Sequence, residues 1–151
     1  MIKKDFLLKR LKGNFIWSIV TVVLFLGVTA YFVWDLITNI DDLVQVIIDS
    51  IIMLICVFMV AVQVSWAISY GLDIPLVKKD QYQYVTGKMV RCARVVTDKK
   101  TKKTTYFDPV IKDKESGEEV QISVAGVEPN HVYKIMYLKH SKMGVIEQKI
   151  K

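Results

Sequence analysis

Few residues in this chain of 151 are of the types that perform acid–base, nucleophilic or metal chemistry. The only histidines are His131 and His140, and neither lies near a G-x-S-x-G turn, which would expose a nucleophilic serine. A zinc site needs three or four ligands, and only Cys56 and Cys92 can join these histidines. No phosphate-binding G-x-x-x-x-G-K-[ST] loop is present. The sequence therefore predicts a protein that is not an enzyme and uses no cofactor or metal.

A group of carboxylates surrounds one turn in the second half of the chain. Paired carboxylates at short spacing can perform acid–base work or bind a hard cation. Charged residues at a turn more often remain in solvent, and a solvated turn is the interpretation we favour. The residues are Asp108, Asp113, Glu115, Glu118 and Glu119.

Gln45 and Asp49 are polar residues close to a long apolar segment, one helical turn apart on the same face. A carboxylate inside a bilayer is costly unless it reaches water or a partner. Three interpretations stay open: snorkelling to the headgroups, a polar contact with another membrane protein, and an ion or proton path. Two helices cannot enclose a pore, so the last interpretation requires a small homo-oligomeric channel lined by these side chains.

The most concentrated charge is basic and consists of Lys99, Lys100, Lys102 and Lys103. At a hairpin tip these cations can contact anionic headgroups, and each is worth about 1 kcal/mol near the surface. They can equally remain in solvent. The net charge of +6 also makes nucleic-acid binding a hypothesis to consider. However, the tyrosines that would stack on bases are needed for the core, so no nucleic acid is expected as a partner.

Two apolar segments must position these groups, and 52% of the chain is hydrophobic. Residues 15–34 and 50–70 contain no charged residue, and ~20 residues of helix span a ~30 Å hydrocarbon core. Because backbone in lipid must satisfy its own hydrogen bonds, both are predicted to be transmembrane helices. A cleaved signal peptide is the main alternative for the first, although its apolar run is long for one. The predicted organisation is a basic flank (1–13), a first transmembrane helix (14–37), an external loop (38–43), a second transmembrane helix (44–71), a linker (72–80) and a β-barrel domain (81–151).

Basic residues predict the orientation of these helices. Five lysines and arginines precede the first helix, Lys78 and Lys79 follow the second, and residues 35–43 contain none. By the positive-inside rule, the N-terminus and the C-terminal domain are both cytoplasmic. We therefore expect the protein in a bacterial cytoplasmic membrane, where its two cysteines remain reduced.

Small residues recur along one face of the second helix. Ala61, Ser65 and Ser69 stand four residues apart, a spacing that lets helices approach closely. Ser18 and Thr21 lie at comparable depth on the first helix and are predicted to meet this ridge. Two interpretations stay open: packing within the hairpin, and packing against another subunit or a membrane partner.

After Pro75, which is predicted to end the second helix, the composition changes to β-forming residues broken by turns. Strict alternation at residues 120–124 is typical of a half-buried strand, and Ser116-Gly117 suits a two-residue hairpin turn. Because closure removes exposed edges, we expect a small five-stranded SH3-like or OB-like barrel. Its strands are predicted near residues 84–97, 104–113, 119–124, 131–139 and 144–148.

Four features occur in order within this domain. They are Gly87 in the first strand, Pro109 in YFDPVI, the Ser116-Gly117 turn, and the strand VYKIMYL at residues 132–138. This order resembles small bacterial two-pass membrane proteins of uncharacterised function with a juxtamembrane β-barrel. It is also similar to the terminal barrel of NfeD-type proteins, over about residues 84–149. The resemblance implies an OB-like fold but no peptidase activity, because the protease portion of longer NfeD relatives has no counterpart here.

Together these patterns predict a non-enzymatic, membrane-anchored accessory protein. Its hairpin packs with a membrane partner, and its barrel binds near the inner membrane surface, with Tyr133 and Tyr137 as candidate contacts at a barrel edge. Two alternatives stay open, an immunity protein against a membrane-acting bacterial toxin and the small homo-oligomeric channel. The expected partners are the lipid bilayer and either another membrane protein or a second copy of the chain.

Overall fold

The structure is a computed structural model that describes residues 2–38, 40, 43–99, 101–102 and 104–150, with the side chains of residues 2 and 3 left out. The chain forms two compact units. We call Arg10–Leu72 the helical unit, and Met1–Lys9 together with Asp73–Lys151 the sheet unit. The loop prediction at residues 39, 41 and 42 and the tip lysines Lys100 and Lys103 lie outside the described residues.

Two long helices, α1 (Ile2–Thr38) and α2 (Leu43–Lys78), account for the apolar half of the chain. Both are long and apolar enough to cross a membrane. Large apolar side chains on them are exposed, with Trp17 at 71% and Leu54 at 72%. Contiguous apolar surface of this kind is unfavourable in water. The two helices therefore suggest insertion into a membrane.

The helices extend beyond the predicted spans. Pro75 lies inside α2 rather than at its end, because a proline removes only its own N–H and the following turn is still bonded. The N–H of Lys79 donates to the Pro75 carbonyl at 3.1 Å. The helix ends at Lys78, and Asp80, two residues beyond it, has a φ of 57° in the left-handed region. Most of the predicted linker and of the basic flank is therefore helical.

Five antiparallel strands form one sheet in the order β3-β2-β1-β4-β5. The prediction of five strands is confirmed, although the third and fourth are shorter than expected. The strands are β1 (Gln83–Thr97), β2 (Thr104–Asp113), β3 (Glu119–Gln121), β4 (Val132–Tyr137) and β5 (Gly144–Ile150).

The predicted barrel is not closed, because the two edge strands β3 and β5 do not pair with each other. With only three residues, β3 is too short to reach across the sheet. The segment after it makes the contact instead. The N–H of Ser123 donates to the Lys142 carbonyl at 2.8 Å, and the N–H of Gly144 donates to the Ser123 carbonyl at 3.1 Å. The result is a curled sheet whose ends are joined at one point.

The core of the sheet unit fills the inside of this curl. Ile122 and Val124 are buried, so the predicted alternation continues beyond the last residue of β3. Tyr133 and Tyr137 are only 2% and 8% exposed and belong to the core. The prediction that these tyrosines form contacts at an exposed edge is therefore wrong, since their rings fill the space inside the sheet. Burial also raises the pKa of Tyr137.

The β2–β3 connection is wider than the predicted two-residue turn. The N–H of Asp113 donates to the Glu118 carbonyl at 2.8 Å, which leaves residues 114–117 in the loop. Asp113 supports this loop from inside, because its carboxylate accepts hydrogen bonds from the Ser116 hydroxyl at 2.9 Å and the Thr86 N–H at 3.4 Å. Gly117 has a φ of 73°, a conformation that suits glycine. At least one of the clustered carboxylates thus has a structural role in a turn.

The hydrogen bond from Ser116 lowers the pKa of Asp113. Folding then favours the ionised carboxyl, so its stabilisation is present above the ordinary aspartate pKa of about 3.9 and is lost as pH falls through the lowered value. We expect Asp113→Asn to speed hydrogen exchange of the β2–β3 amides by roughly two- to fivefold at pH 7. The difference from the natural chain should shrink below pH ~4. Mass spectrometry of the full chain in detergent at each pH measures it, and a constant difference would contradict it.

Candidate functional sites

The outer part of the β1–β2 hairpin extends beyond the rest of the sheet. β1 pairs with β4 only from Gln83 to Lys88, whereas its pairing with β2 continues to Thr97. One edge of β1, at residues 89–97, therefore faces no described strand, and its outward N–H and C=O groups are open to another chain. We call residues 89–97 and 104–107 the β ribbon.

The β ribbon combines apolar and cationic side chains. Val90, Val95 and Val96 are 53%, 52% and 45% exposed. The guanidinium of Arg94 lies over the Phe107 ring, 4.7 Å from its centroid, which fixes a charge on one face of the ribbon. An extended chain placed along this edge would therefore contact apolar valine side chains and also a positive charge.

A groove lies at the base of the β ribbon, with a volume of about 550 Å³. Three lysines line it, and none of them forms an ion pair with any described residue. The single carboxylate in the groove already accepts hydrogen bonds from Ser116 and Thr86. The groove is therefore cationic. Its lining residues are Gly87, Lys88, Val90, Lys112, Asp113, Lys114, Gly117 and Val132.

At the tip of the ribbon, Asp98 accepts two hydrogen bonds from described residues. The N–H of Lys102 donates to the Asp98 carbonyl at 2.8 Å, and the Thr101 hydroxyl donates to the Asp98 carboxylate at 2.8 Å. Lys99 and Lys102 are exposed. Headgroup contact by the lysine run stays a prediction.

In the helical unit, the small residues do not pair as the sequence predicted. Ser18 is only 2% exposed, whereas Ala61 and Ser65 are exposed. Ser18 instead lines a cavity of about 210 Å³ together with Gln63 and Tyr70. Gln63 lies on the face of α2 that is next to Ser18. Ala61 and Ser65 therefore lie on a different face of α2, away from Ser18.

The other two small-residue positions are bonded within their own helices. The Thr21 hydroxyl donates to the Trp17 carbonyl at 2.8 Å, and the Ser69 hydroxyl donates to the Ser65 carbonyl at 3.1 Å. Bonds of this kind satisfy a hydroxyl without a partner helix. The hydroxyl groups of Thr21 and Ser69 therefore need no hydrogen bond from one helix to the other.

A partly buried polar cluster joins α1 to α2 in the helical unit. The Gln45 amide nitrogen lies 3.0 Å from Asp49 Oδ1 and 3.3 Å from Asp35 Oδ2, so one amide bridges two carboxylates. Asp49 is only 1% exposed, a finding that argues against snorkelling. Its second oxygen, Oδ2, has no hydrogen-bond partner in the described part of the chain. The sequence pointed to Gln45 and Asp49, whereas it gave no sign that Asp35 would join them.

Asp73 is a buried residue of the sheet unit that the sequence did not single out. Its side chain is 0% exposed. The carboxylate accepts hydrogen bonds from the backbone N–H groups of His140 and Ser141, at 3.2 Å and 2.6 Å. The only signal in the sequence is an acidic residue within the apolar stretch at residues 72–77. The Asp73 carboxylate thus links the β4–β5 turn to the last turns of α2.

Among the described residues, no group of three or more histidine, cysteine or carboxylate side chains is placed to hold a metal ion. Both cysteines are free thiols, and Cys56 is buried. The fold and its sites define a protein with two apolar helices of membrane-spanning length and a five-stranded antiparallel sheet. No protein-family model matches this chain, and comparisons with curated proteins and with solved structures found no significant match.

Proposed function

We propose that this chain is a non-enzymatic, membrane-anchored interaction protein whose β ribbon binds an extended, acidic segment of a cytoplasmic protein. The observation that carries the proposal is the free edge of β1, at residues 89–97. The two apolar helices supply the anchor. The basic residues at both ends of the helical pair support a cytoplasmic location of the sheet unit in a bacterial cell.

An extended peptide is the occupant that a free strand edge fits best. Its main chain would continue the sheet through hydrogen bonds, while alternate side chains would contact the ribbon. Val95 and Val96 offer apolar contact on opposite faces of β1, because successive side chains of a strand alternate. A β-bulge between Met89 and Arg91 twists the start of this edge, which disfavours flat pairing between two copies.

Charge specifies the chemistry of that peptide. Lys88, Lys112 and Lys114 line the groove at the base of the ribbon, and Arg94 is fixed over Phe107 along it. A second copy would bring like charges together, whereas an acidic segment would be attracted and oriented. The partner is therefore a different protein with carboxylates in an extended stretch.

Two finer features belong to the same proposal. The short strands and the single junction between the sheet ends support an SH3-like or OB-like module. The exposure of Ala61 and Ser65 supports contact of the helical unit with a membrane partner, because small residues that face outward allow another helix to approach closely.

Photo-crosslinking tests the binding of an acidic segment. We expect a photoreactive amino acid at Val95, in full-length protein in its native membrane, to form one protein adduct whose crosslinked peptide is acidic. Arg94→Glu should reduce that adduct about tenfold, the effect of ~1.4 kcal/mol in binding. Lys139→Glu makes the same charge change at an exposed position outside the ribbon and should leave the adduct unchanged.

Three outcomes would contradict the proposal. Adducts with lipid alone would make the ribbon a headgroup-binding element, and adducts with a second copy alone would favour the homo-oligomeric alternative. An adduct that Arg94→Glu leaves intact would show that charge does not guide the contact. Should the acidic peptide belong to a membrane-acting toxin, the interaction would be that of an immunity protein.

A further inference from the structure

The partly buried cluster in the helical unit brings two carboxylates together. Asp35 and Asp49 are both bonded to one Gln45 amide. No lysine, arginine or histidine occurs at residues 13–77. The nearest basic residue along α1 is Lys12, about 35 Å from Asp35 at ~1.5 Å per residue. Either the cluster is neutralised by something it binds, or its charge is uncompensated.

Uncompensated charge is unfavourable here for two reasons. Asp49 is 1% exposed and its Oδ2 accepts no hydrogen bond from any described residue, so that oxygen has left water without gaining a donor among them. Two carboxylates held on one amide also repel each other when both are ionised. A single positive charge at Asp49 Oδ2 would remove both costs. An acidic pair alone would not indicate a ligand, but the unpartnered buried oxygen does.

The chemistry of the cluster selects a small, hard, monovalent cation. Its groups are two carboxylates and one carboxamide, and oxygen donors of this type bind hard cations. A half-turn of the Gln45 amide would present its oxygen, instead of its nitrogen, to the same two carboxylates. With two carboxylates at most, the site neutralises one or two charges and lacks the further acidic ligands that a calcium site uses.

We propose that Asp35, Gln45 and Asp49 form a binding site for one small monovalent cation, H⁺ or Na⁺, seated at Asp49 Oδ2. The site lies between two helices of one chain and needs no pore. The charged groups that face it are Asp35 from α1 and Asp49 from α2, while Asp41 and Asp42 of the connection lie outside the described residues. The proposal is independent of partner binding by the β ribbon.

A hydrophobic carbodiimide tests the site in full-length protein reconstituted into phosphatidylethanolamine and phosphatidylglycerol vesicles. This reagent reacts with a protonated carboxyl: the proton moves to a carbodiimide nitrogen, and the carboxylate oxygen bonds the central carbon. The O-acylisourea rearranges to an N-acylurea that keeps every atom of the reagent. We expect dicyclohexylcarbodiimide to label Asp49, located by peptide mass spectrometry, and the labelling to fall as pH rises.

Sodium distinguishes the two cations. If Na⁺ occupies the site, labelling at fixed pH should slow about tenfold at a sodium concentration ~10 times its dissociation constant, while choline has no effect. If only H⁺ binds, sodium and choline should act alike. Either result supports the site. Asp49→Asn should abolish the label, whereas Ser50→Ala, on the exposed side of the same helix turn, should leave it unchanged.

Infrared difference spectroscopy tests for the bound cation even if the carbodiimide cannot reach the cluster. The difference between the natural chain and Asp49→Asn should contain a protonated-carboxyl C=O band, or a carboxylate band that sodium shifts. Absence of both, together with absence of labelling at every pH, would show an ionised Asp49 without a cation and overturn the proposal. Crosslinking at Val95 would be unaffected by that result, so the two proposals fail separately.

Discussion

Replacing Gly87 with alanine is expected to destabilise the sheet unit by about 3 kcal/mol or more, because the added methyl group has no space. A Cβ at this position would overlap the Lys112 carbonyl oxygen and lie 2.8 Å from the Lys112 carbonyl carbon. Both are backbone atoms of β2, so no side-chain rotation can relieve the overlap. Gly87 is also opposite Asp113 of β2 and Tyr133 of β4, so β1 cannot shift without breaking a ladder.

Hydrogen exchange of the full chain in detergent micelles measures this effect unit by unit. Peptides from β1, β2 and β4 should lose protection in Gly87→Ala, while peptides from residues 50–70 should serve as an unchanged reference. Gly117→Ala is the matched control, since its Cβ would meet nothing within 4 Å and only its φ of 73° is unfavourable, at about 1 kcal/mol. Equal exchange in the two variants would show that β2 yields at little cost.

Gly87 also shows what the sequence could and could not provide. Its place in the first strand was noted from a resemblance, which carries no reason for a glycine there. The reason is the close crossing of β2, a contact between residues 25 apart in the chain. The alternation of apolar residues along a strand predicts which of its faces is buried. It does not predict how closely a strand from a distant part of the chain approaches.

The strands illustrate the same limit. Alternation at residues 120–124 correctly predicted that Ile122 and Val124 point inward, yet pairing with β2 ends at Gln121. Side-chain burial depends on the residue itself, whereas a ladder needs a partner strand along its whole length. Whether the barrel closes could therefore not be predicted from the sequence, because it depends on where Ser123 contacts Lys142 and Gly144.

The candidate sites divide in a similar way. Gln45 and Asp49 were predictable because polar residues stand out beside an apolar segment. Asp35 was not, since its bond to Gln45 crosses from one helix to the other. Tyr133 and Tyr137 were predicted to form contacts at a barrel edge, but both are buried in the core, since a domain this small has few other large side chains to fill its interior. The free edge of β1 could be found only once the partner strands were placed.

Replacing Asp73 with alanine is expected to destabilise the sheet unit by about 3 kcal/mol, because two hydrogen bonds to a charged, fully buried group are lost. The variant would leave the N–H groups of His140 and Ser141 without their acceptor. Asp73→Asn keeps one carbonyl oxygen, so it should satisfy one of the two donors and fall between the natural chain and alanine. A graded series of this kind separates the role of the acceptor from that of packing.

Hydrogen exchange again provides the measurement for Asp73, at the amides of the β4–β5 turn in full-length protein. Asp5→Ala makes the same chemical change at an exposed position of α1 in the same unit, where substitutions cost no more than about 0.5 kcal/mol. The turn amides should exchange fastest in Asp73→Ala, more slowly in Asp73→Asn, and at the natural rate in Asp5→Ala. If Asp73→Ala exchanged no faster than Asp5→Ala, water would be satisfying both amides. The carboxylate would then not be what holds the β4–β5 turn to the end of α2.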